Sequence, residues 1–279
     1  MGWQVRIKSV ALAAVSACVE GALEMLPGRI RAIVADRAPM VRPLDYRRHR
    51  ILLHVDSELE YRVRLRSAGK EPETVRWIEQ HFRAGDVFYD IGANVGAYSL
   101  IAATCVPNLR VCAFEPSALN FGQLVRNVAL NGCGDRIMPL ALALGDATRM
   151  EVFHYQNLTR GGALHTIGDP LTEQGRAFVP ALSQKVRIES LDDVVRQYDL
   201  PPPSHIKIDV DGAEPRILTG AAATLMAPTL RTVLLETTDQ GGPPAGITAA
   251  LRPAGLKLIA THQQPGGYAN FLFARDTGI

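Results

Sequence analysis

The stretch Val87-Phe-Tyr-Asp-Ile-Gly-Ala-Asn-Val-Gly-Ala97 decides how this chain folds. A short apolar run ends at Asp90, turns through Gly92 and Gly96, and enters an apolar helix near Tyr98. Strand, glycine turn and helix start gather backbone N–H groups and a helix N-terminus around one small space. Gly92 and Gly96 lack the Cβ atoms that would keep a ligand away from the backbone. Asp90 sits at the strand's carboxyl end, the edge at which open parallel sheets bind ligands. The spacing is Gly-x-x-x-Gly, not the Gly-x-Gly-x-x-Gly of a dinucleotide site, which counts against a nicotinamide-dependent oxidoreductase.

Outward from this stretch, strands are expected over 87–90, 109–115, 137–143, 206–210 and 232–236, with helices over 98–103, 118–130, 191–198 and 214–225. Strands alternating with helices predict an α/β fold with a mostly parallel, doubly wound sheet. A helix over 247–253 precedes a closing pair of strands, 256–262 and 270–274. The loop between them is too short for a parallel crossover, so the last strand is expected to be antiparallel. Runs 150–155 and 184–188 read as further short strands, added antiparallel. The Gly-rich, polar segment 156–183 between them has no periodicity, which marks a functional or mobile stretch.

Upstream, a helix over 71–82 turns Val75, Ile78 and Phe82 inward and stops at Gly85. Apolar alternation on either side of Asp56-Ser-Glu predicts a β-hairpin flap over 51–70. Residues 37–50 are basic, contain Pro39 and Pro43, and read as a linker. Val15, Cys18, Val19, Ala22, Leu23 and Leu26 share one face at helical spacing, so an N-terminal helix is expected to end at Pro27-Gly28. A lipoprotein-like box ending at Cys18 is the alternative, disfavoured by its short apolar run. The expected division is 1–50 for helix and basic linker, 51–70 for the flap and 71–279 for the main domain.

The formal net charge of +2 gives no strong attraction for nucleic acid, and none is expected as a partner. Basic residues concentrate before residue 51, which suits a solvated arm or one that touches a membrane surface. The four cysteines form no C-x-x-C pair, consistent with a reducing compartment and against a zinc site.

The opening stretch contains DIGANVG, followed in order by AFEP (Ala113 to Pro116), NVALNG (Asn127 to Gly132), ALGD (Ala143 to Asp146), SLDD (Ser190 to Asp193), HIKIDVDGAEPRIL (His205 to Leu218) and LLET (Leu234 to Thr237). This series resembles the FkbM-type S-adenosylmethionine-dependent methyltransferases. The resemblance implies a Rossmann-like class I methyltransferase fold, S-adenosyl-L-methionine as cofactor, and O-methylation of a saccharide, glycan or polyketide-type acceptor. A cytosolic methyl donor implies a cytoplasmic enzyme, peripheral to a membrane if the basic arm binds one. Two departures keep a non-catalytic binding protein open as an alternative. Asp211 stands where the family usually has Glu, and Thr237-Thr-Asp239 follows Glu236 where Glu-x-His is expected.

Glu115 ends the second strand, where a carboxylate can accept two hydrogen bonds from a ribose diol; the resemblance makes that ribose the cofactor's. By the same resemblance Asp90 anchors the methionine end, directly or through water, unless it only caps the turn at Gly92. The resemblance also assigns Gly92, Asn94 and Gly96 to the cofactor loop, unless Asn94, which tolerates a left-handed backbone, is a turn residue only. Asp146 follows the third strand, where such enzymes bind the adenine amino group. Asp209 is the leading catalytic candidate, as base or as orienting group for the acceptor hydroxyl. Asp209 and Asp211 point the same way and could instead hold a divalent cation, a reading that is not favoured. Lys207, one strand step before Asp209, is expected to pair with it. Of His154, His165 and His262, His165 is the second catalytic candidate, because its Gly-rich loop could cover the substrate.

Overall fold

The computed structural model describes residues 22, 25–30, 40–172, 175–239 and 241–275. The expected N-terminal helix and the Cys18 box lie outside the described residues, apart from isolated positions. The chain divides into two units, Met1–Met40 and Val41–Ile279; the central sheet and its cleft belong to the second. No helix among the described residues is long and apolar enough to cross a membrane.

Seven strands form the central sheet: β1 (Val87–Ile91), β2 (Arg110–Phe114), β3 (Ile137–Leu140), β4 (His205–Ile208), β5 (Thr232–Thr238), β6 (Leu256–Gln264) and β7 (Tyr268–Arg275). Their spatial order is β6-β7-β5-β4-β1-β2-β3. The first five are mutually parallel. Strand β7 runs antiparallel between β5 and β6, as the short final loop requires. The fold is a Rossmann-like α/β sheet. The chain leaves β1 in one direction through β2 and β3, then resumes on its other side at β4. That reversal opens a crevice at the carboxyl ends of β1 and β4, the switch point where such sheets bind ligands.

Every residue of β1 is buried, as expected for a strand covered on both faces. Alternation along it separates two cores. Phe88 packs with Trp77, Ile78, Phe82, Leu100 and Ile101, whereas Val87, Tyr89 and Ile91 pack with Phe114, Val194, Ile217 and Phe271. The same parity places Asp90, Lys207 and Glu236 on the face of the first core, because their neighbours Ile91, Ile208 and Leu235 belong to the second. Helix Ala97–Cys105 covers this face closely through its run of small residues, with Ala97, Ser99, Ala102 and Ala103 all buried.

Three expectations change. No hairpin spans 51–70. Leu52–His54 pairs antiparallel with Val41–Pro43, inside the expected linker, and Glu58–Arg62 is helical. Ser57 caps that helix by accepting from the Glu60 N–H, while Glu60 accepts from the Asp56 N–H at 2.7 Å, a variant of the capping box that overrides the weak alternation. The expected strand 137–143 splits at a turn in which the Leu142 N–H reaches Leu140 O. Its second half, Ala143–Gly145, joins a separate four-stranded sheet with Arg149–Tyr155, Thr166–Ile167 and Leu182–Ser190. The added strands 150–155 and 184–188 are therefore paired with each other, not with the central sheet.

Candidate active site

A cleft of about 460 Å³ opens at the carboxyl ends of β1, β2, β4 and β5, within the volume range of small-molecule sites. One wall is apolar, from Phe114, Leu142, Leu144 and Phe153; the floor carries Gly92, Asn94, Glu115, Asp209 and Glu236.

The turn after β1 explains its glycine. Gly92 has φ +82°, and a Cβ there would lie 1.9 Å from the Asp209 carbonyl oxygen. The backbones of the β1 and β4 ends therefore meet at this point. Gly96, also left-handed, leaves room for Leu124 and starts helix Ala97–Cys105. It does not line the cleft, so its role is packing and not ligand contact.

Glu115 is nearly fully buried at the end of β2. Its two carboxyl oxygens accept from the N–H groups of Asn94 (2.8 Å) and Ser117 (2.9 Å). Burial pushes its pKa up to about 7 against the opposing pull of those two N–H groups. Asn94 adopts φ +51° and donates its side-chain amide to Gly162 O. Its Oδ1 is buried with no hydrogen-bond partner.

Asp90 is fully buried beneath the floor and does not line the cleft. Ser99 Oγ donates to it at 2.6 Å, and its other oxygen has no partner. Burial raises its pKa, with Lys207 pulling the other way. Direct contact with a ligand's methionine end is thus not available to it. Asp146 lies off the cleft as well, bound to Arg149 and Arg216. The split of the third strand carries it into the second sheet, away from the position expected for an adenine contact.

The expected Lys207–Asp209 pair is present at 2.6 Å, with the lysine side chain 3% exposed and the aspartate 35% exposed toward the cleft. Burial opposes ionisation of Asp209, but Lys207 overrides it and lowers the pKa. Lys207 lies beside Asp90 in the strand register, and its Nζ sits 5.1 Å from the centre of the Tyr98 ring. Ile208 pairs with Leu235, so the next residues, Asp209 and Glu236, emerge side by side. Glu71, just before helix Pro72–His81, completes a cluster in which one oxygen each from Glu71, Asp209 and Glu236 lie within 4.8 Å of one another. Among the described residues this trio, which does not include Asp211, is close enough to share a cation. Positive charge is already supplied there: Lys70 bonds Glu71 at 2.8 Å and Lys207 bonds Asp209. Asp211 accepts from the Leu164 N–H on the opposite wall.

His165 lines the cleft, but its chemistry differs from the expectation. Its Nδ1 accepts from the Gln156 N–H at 3.2 Å, so the ring proton resides on Nε2. Burial, with Arg64 adding to it, lowers its pKa to about 4. A neutral imidazole in that state donates a hydrogen bond and is a poor base. His154 is tied to Ser183 and Gly168 O in the second sheet.

Sequence reasoning missed what holds the segment around His165. Asn120 accepts from the Gly161 N–H and donates to Gly162 O; Arg64 donates twice to Gly161 O; Ser57 donates to Arg160 O. Five side-chain bonds from three distant elements turn an aperiodic stretch into a fixed wall. Glu71 and Lys70 were missed too; the local signal was Pro72 at a helix start, which fixes where the preceding residues project.

The profile of the methyltransferase FkbM domain matches residues 90–254. A 31-O-demethyl-FK506 methyltransferase, FkbM, from Streptomyces tacrolimicus is 29% identical over 196 residues, covering 64% of this chain and 75% of that protein. A hexuronic acid methyltransferase, AglP, from Haloferax volcanii is 25% identical over 198 residues, covering 71% and 74%. Among solved structures, a methyltransferase FkbM from Methylobacillus flagellatus superposes with a TM-score of 0.47 at 17% identity, over 70% of this chain and 44% of that one.

Proposed function

The chain belongs to the FkbM methyltransferase family, and from that premise we propose that it transfers a methyl group from S-adenosylmethionine to a hydroxyl oxygen of a saccharide, glycan or polyketide-type acceptor. The observation that carries this reading is the Glu115 carboxyl at the β2 end of the cleft, beside Asn94, whose Oδ1 is buried and unpartnered. A buried acceptor without a donor is costly, and a ribose diol offers two donors. The apolar wall of Phe114, Leu142, Leu144 and Phe153 beside them suits an adenine ring. The substrates named for two relatives, a demethylated FK506 and a hexuronic acid, favour a hydroxyl acceptor on a small molecule or sugar.

When bound, the cofactor supplies an electrophilic methyl group on a sulfonium. The chain's own residues do the rest. Glu115 and Asn94 fix the nucleoside, and the wall 160–165 excludes water. Asp209, locked by Lys207, orients the acceptor hydroxyl; its lowered pKa makes it a weak base and a good hydrogen-bond acceptor. Such positioning is the main requirement of an in-line transfer. With Lys70 and Lys207 already bonded to two of the three carboxylates, turnover is expected to persist in a chelator. Dependence on a cytosolic donor supports a cytoplasmic site for the reaction.

Calorimetric titration tests the reading. S-adenosylhomocysteine is expected to bind at micromolar concentration or tighter, and NAD not at all; the reverse would overturn the proposal. A screen of hydroxylated saccharides and polyketides with a labelled methyl donor then identifies the acceptor.

A further inference from the structure

The carboxylate cluster at the ends of β4 and β5 contains one acid more than it has lysines. Lys70 is bonded to Glu71 and Lys207 to Asp209; among the described residues neither forms an ion pair with Glu236. Glu236 nevertheless lines the cleft, within 4.8 Å of both other carboxylates. The charged and titratable groups around it are Asp209 on β4, Glu71 and Lys70 at the start of helix Pro72–His81, and Lys207 behind Asp209, with Asp90 on β1 sharing Lys207, Arg64 acting on Asp209 from the cleft lining, and the Tyr98 hydroxyl against the same cluster. Each lysine is bonded to one of the other two acids, so Glu236, the acid of the trio without a bonded cation, reaches neutrality by holding a proton or by meeting a cation from outside.

We propose that Glu236 is that third acid and the group that takes the acceptor's proton: it is protonated in the empty cleft, gives up its proton when a sulfonium cofactor binds, and regains one from the acceptor hydroxyl during methyl transfer. The proposal rests on the S-adenosylmethionine reading above. The balance closes on both atoms and charge. The acceptor O–H breaks and its proton goes to the Glu236 carboxylate; the new O–CH3 bond takes the methyl carbon; the sulfur keeps the electron pair of the broken bond and becomes a neutral thioether. The cluster thus returns to the state it has in the empty cleft.

The surroundings support this cycle. Burial pushes the Glu236 pKa up to about 8, and the Asp209 and Glu71 charges add to the rise. A cation arriving within a few ångströms lowers a carboxyl pKa by about 1–3 units, enough to discharge the proton near neutral pH. Asp209 cannot take this role, because its pKa is held down by Lys207. Nor can His165, whose ring nitrogen Nδ1 is already engaged by the Gln156 N–H.

The experiment counts protons. The full chain is titrated at about pH 7 with S-adenosylmethionine and, separately, with S-adenosylhomocysteine, in buffers of different ionisation enthalpy. The sulfonium ligand is expected to release between about half a proton and one proton more than the neutral thioether. Glu236→Gln mimics the protonated acid, so it is expected to fold and to bind both ligands. That extra release should vanish in the variant, a comparison that also cancels any contribution from the ligands' amino-acid ends. Equal proton counts for the two ligands in the native protein would overturn the proposal, as would an extra release that survives in Glu236→Gln. Failure of both ligands to bind would instead overturn the cofactor reading. In single-turnover assays the Gln variant is expected to lose about 10²–10⁴-fold in the transfer step, the usual scale of general-base catalysis.

Discussion

At the scale of single residues, the site turns on which carboxylates keep a spare lone pair. Glu115 uses one on each oxygen for the Asn94 and Ser117 N–H groups, leaving one on each for a diol. Glu115→Ala is expected to weaken S-adenosylhomocysteine binding by about 1.5–3 kcal/mol, the range for hydrogen bonds to a charged group; unchanged affinity by calorimetry would remove it from the site. Because its folded pKa is about 7, affinity is expected to improve as pH rises through that value and the stronger, ionised acceptor appears. Asp209→Asn leaves the buried Lys207 without its charged partner. It is expected to lower turnover more than cofactor affinity; an equal loss of both, with a lowered Tm, would instead mark it as a structural ion pair. The place of Glu115 in the cleft was legible in sequence because it follows from one local fact, an acid at a strand's carboxyl end. That Asp146 lies off the cleft was not legible, because its partner Arg216 lies 70 residues away, and no local pattern reports that the chain has crossed into a second sheet. His165 was placed correctly in the cleft, but its tautomer depends on a backbone N–H nine residues earlier.

At the scale of elements, backbone contacts decide what can vary. A Cβ on Gly92 would meet the Asp209 carbonyl at 1.9 Å, whereas one on Gly132, which is also left-handed (φ +60°), would meet nothing within 4 Å. Gly92→Ala is therefore expected to cost on the order of 3 kcal/mol, from left-handed strain plus a backbone clash, and Gly132→Ala about 1–2 kcal/mol from strain alone. Urea denaturation of the two variants checks the difference; similar costs would mean that β1 and β4 are not in contact at this turn. The wall over the cleft obeys a different rule. Asn120→Ala leaves the Gly161 N–H without its acceptor, so hydrogen exchange is expected to rise across 160–165 while the sheet stays protected. Parallel strands were readable because a strand covered on both faces is a continuous apolar run, as in β1. The flap was not, because Ser57-Glu-Leu-Glu60 states a helix start in four residues while the alternation around it states a strand only weakly. The fixed wall was unreadable in principle: its bonds come from Ser57, Arg64, Asn94, Asn120 and Asp211, and sequence spacing carries no information about such distant contacts.

For the whole molecule, the groups buried on folding set the pH range of stability. Burial raises Glu115 to about 7 and Glu236 to about 8, so the folded chain holds protons that the unfolded chain has already released. Their contribution is complete in acid and is lost as pH rises through those values. Burial lowers His165 and His205 to about 4. The folded chain keeps both neutral where the unfolded chain binds protons, so stability falls as pH drops from about 6.5 toward 4. Asp86, which burial alone would raise, is held at about 2 by His205 and Arg231, and its contribution survives until strong acid. Between about pH 4.5 and 6.5 the carboxyls and the histidines act in opposite directions and largely cancel. Thermal unfolding of the ligand-free protein is thus expected to give a plateau in Tm near pH 5–6 and a decline toward pH 9. Glu236→Gln should make the alkaline decline shallower, because a neutral amide never has to be ionised in the cluster. A Tm that rises from pH 6 to 9, or a decline of the same slope in the variant, would show that the cleft's excess acid is not the group strained by ionisation. A shallower slope would instead mean that the cleft gives up stability in order to keep a carboxyl poised near neutral pH, the condition a proton acceptor needs.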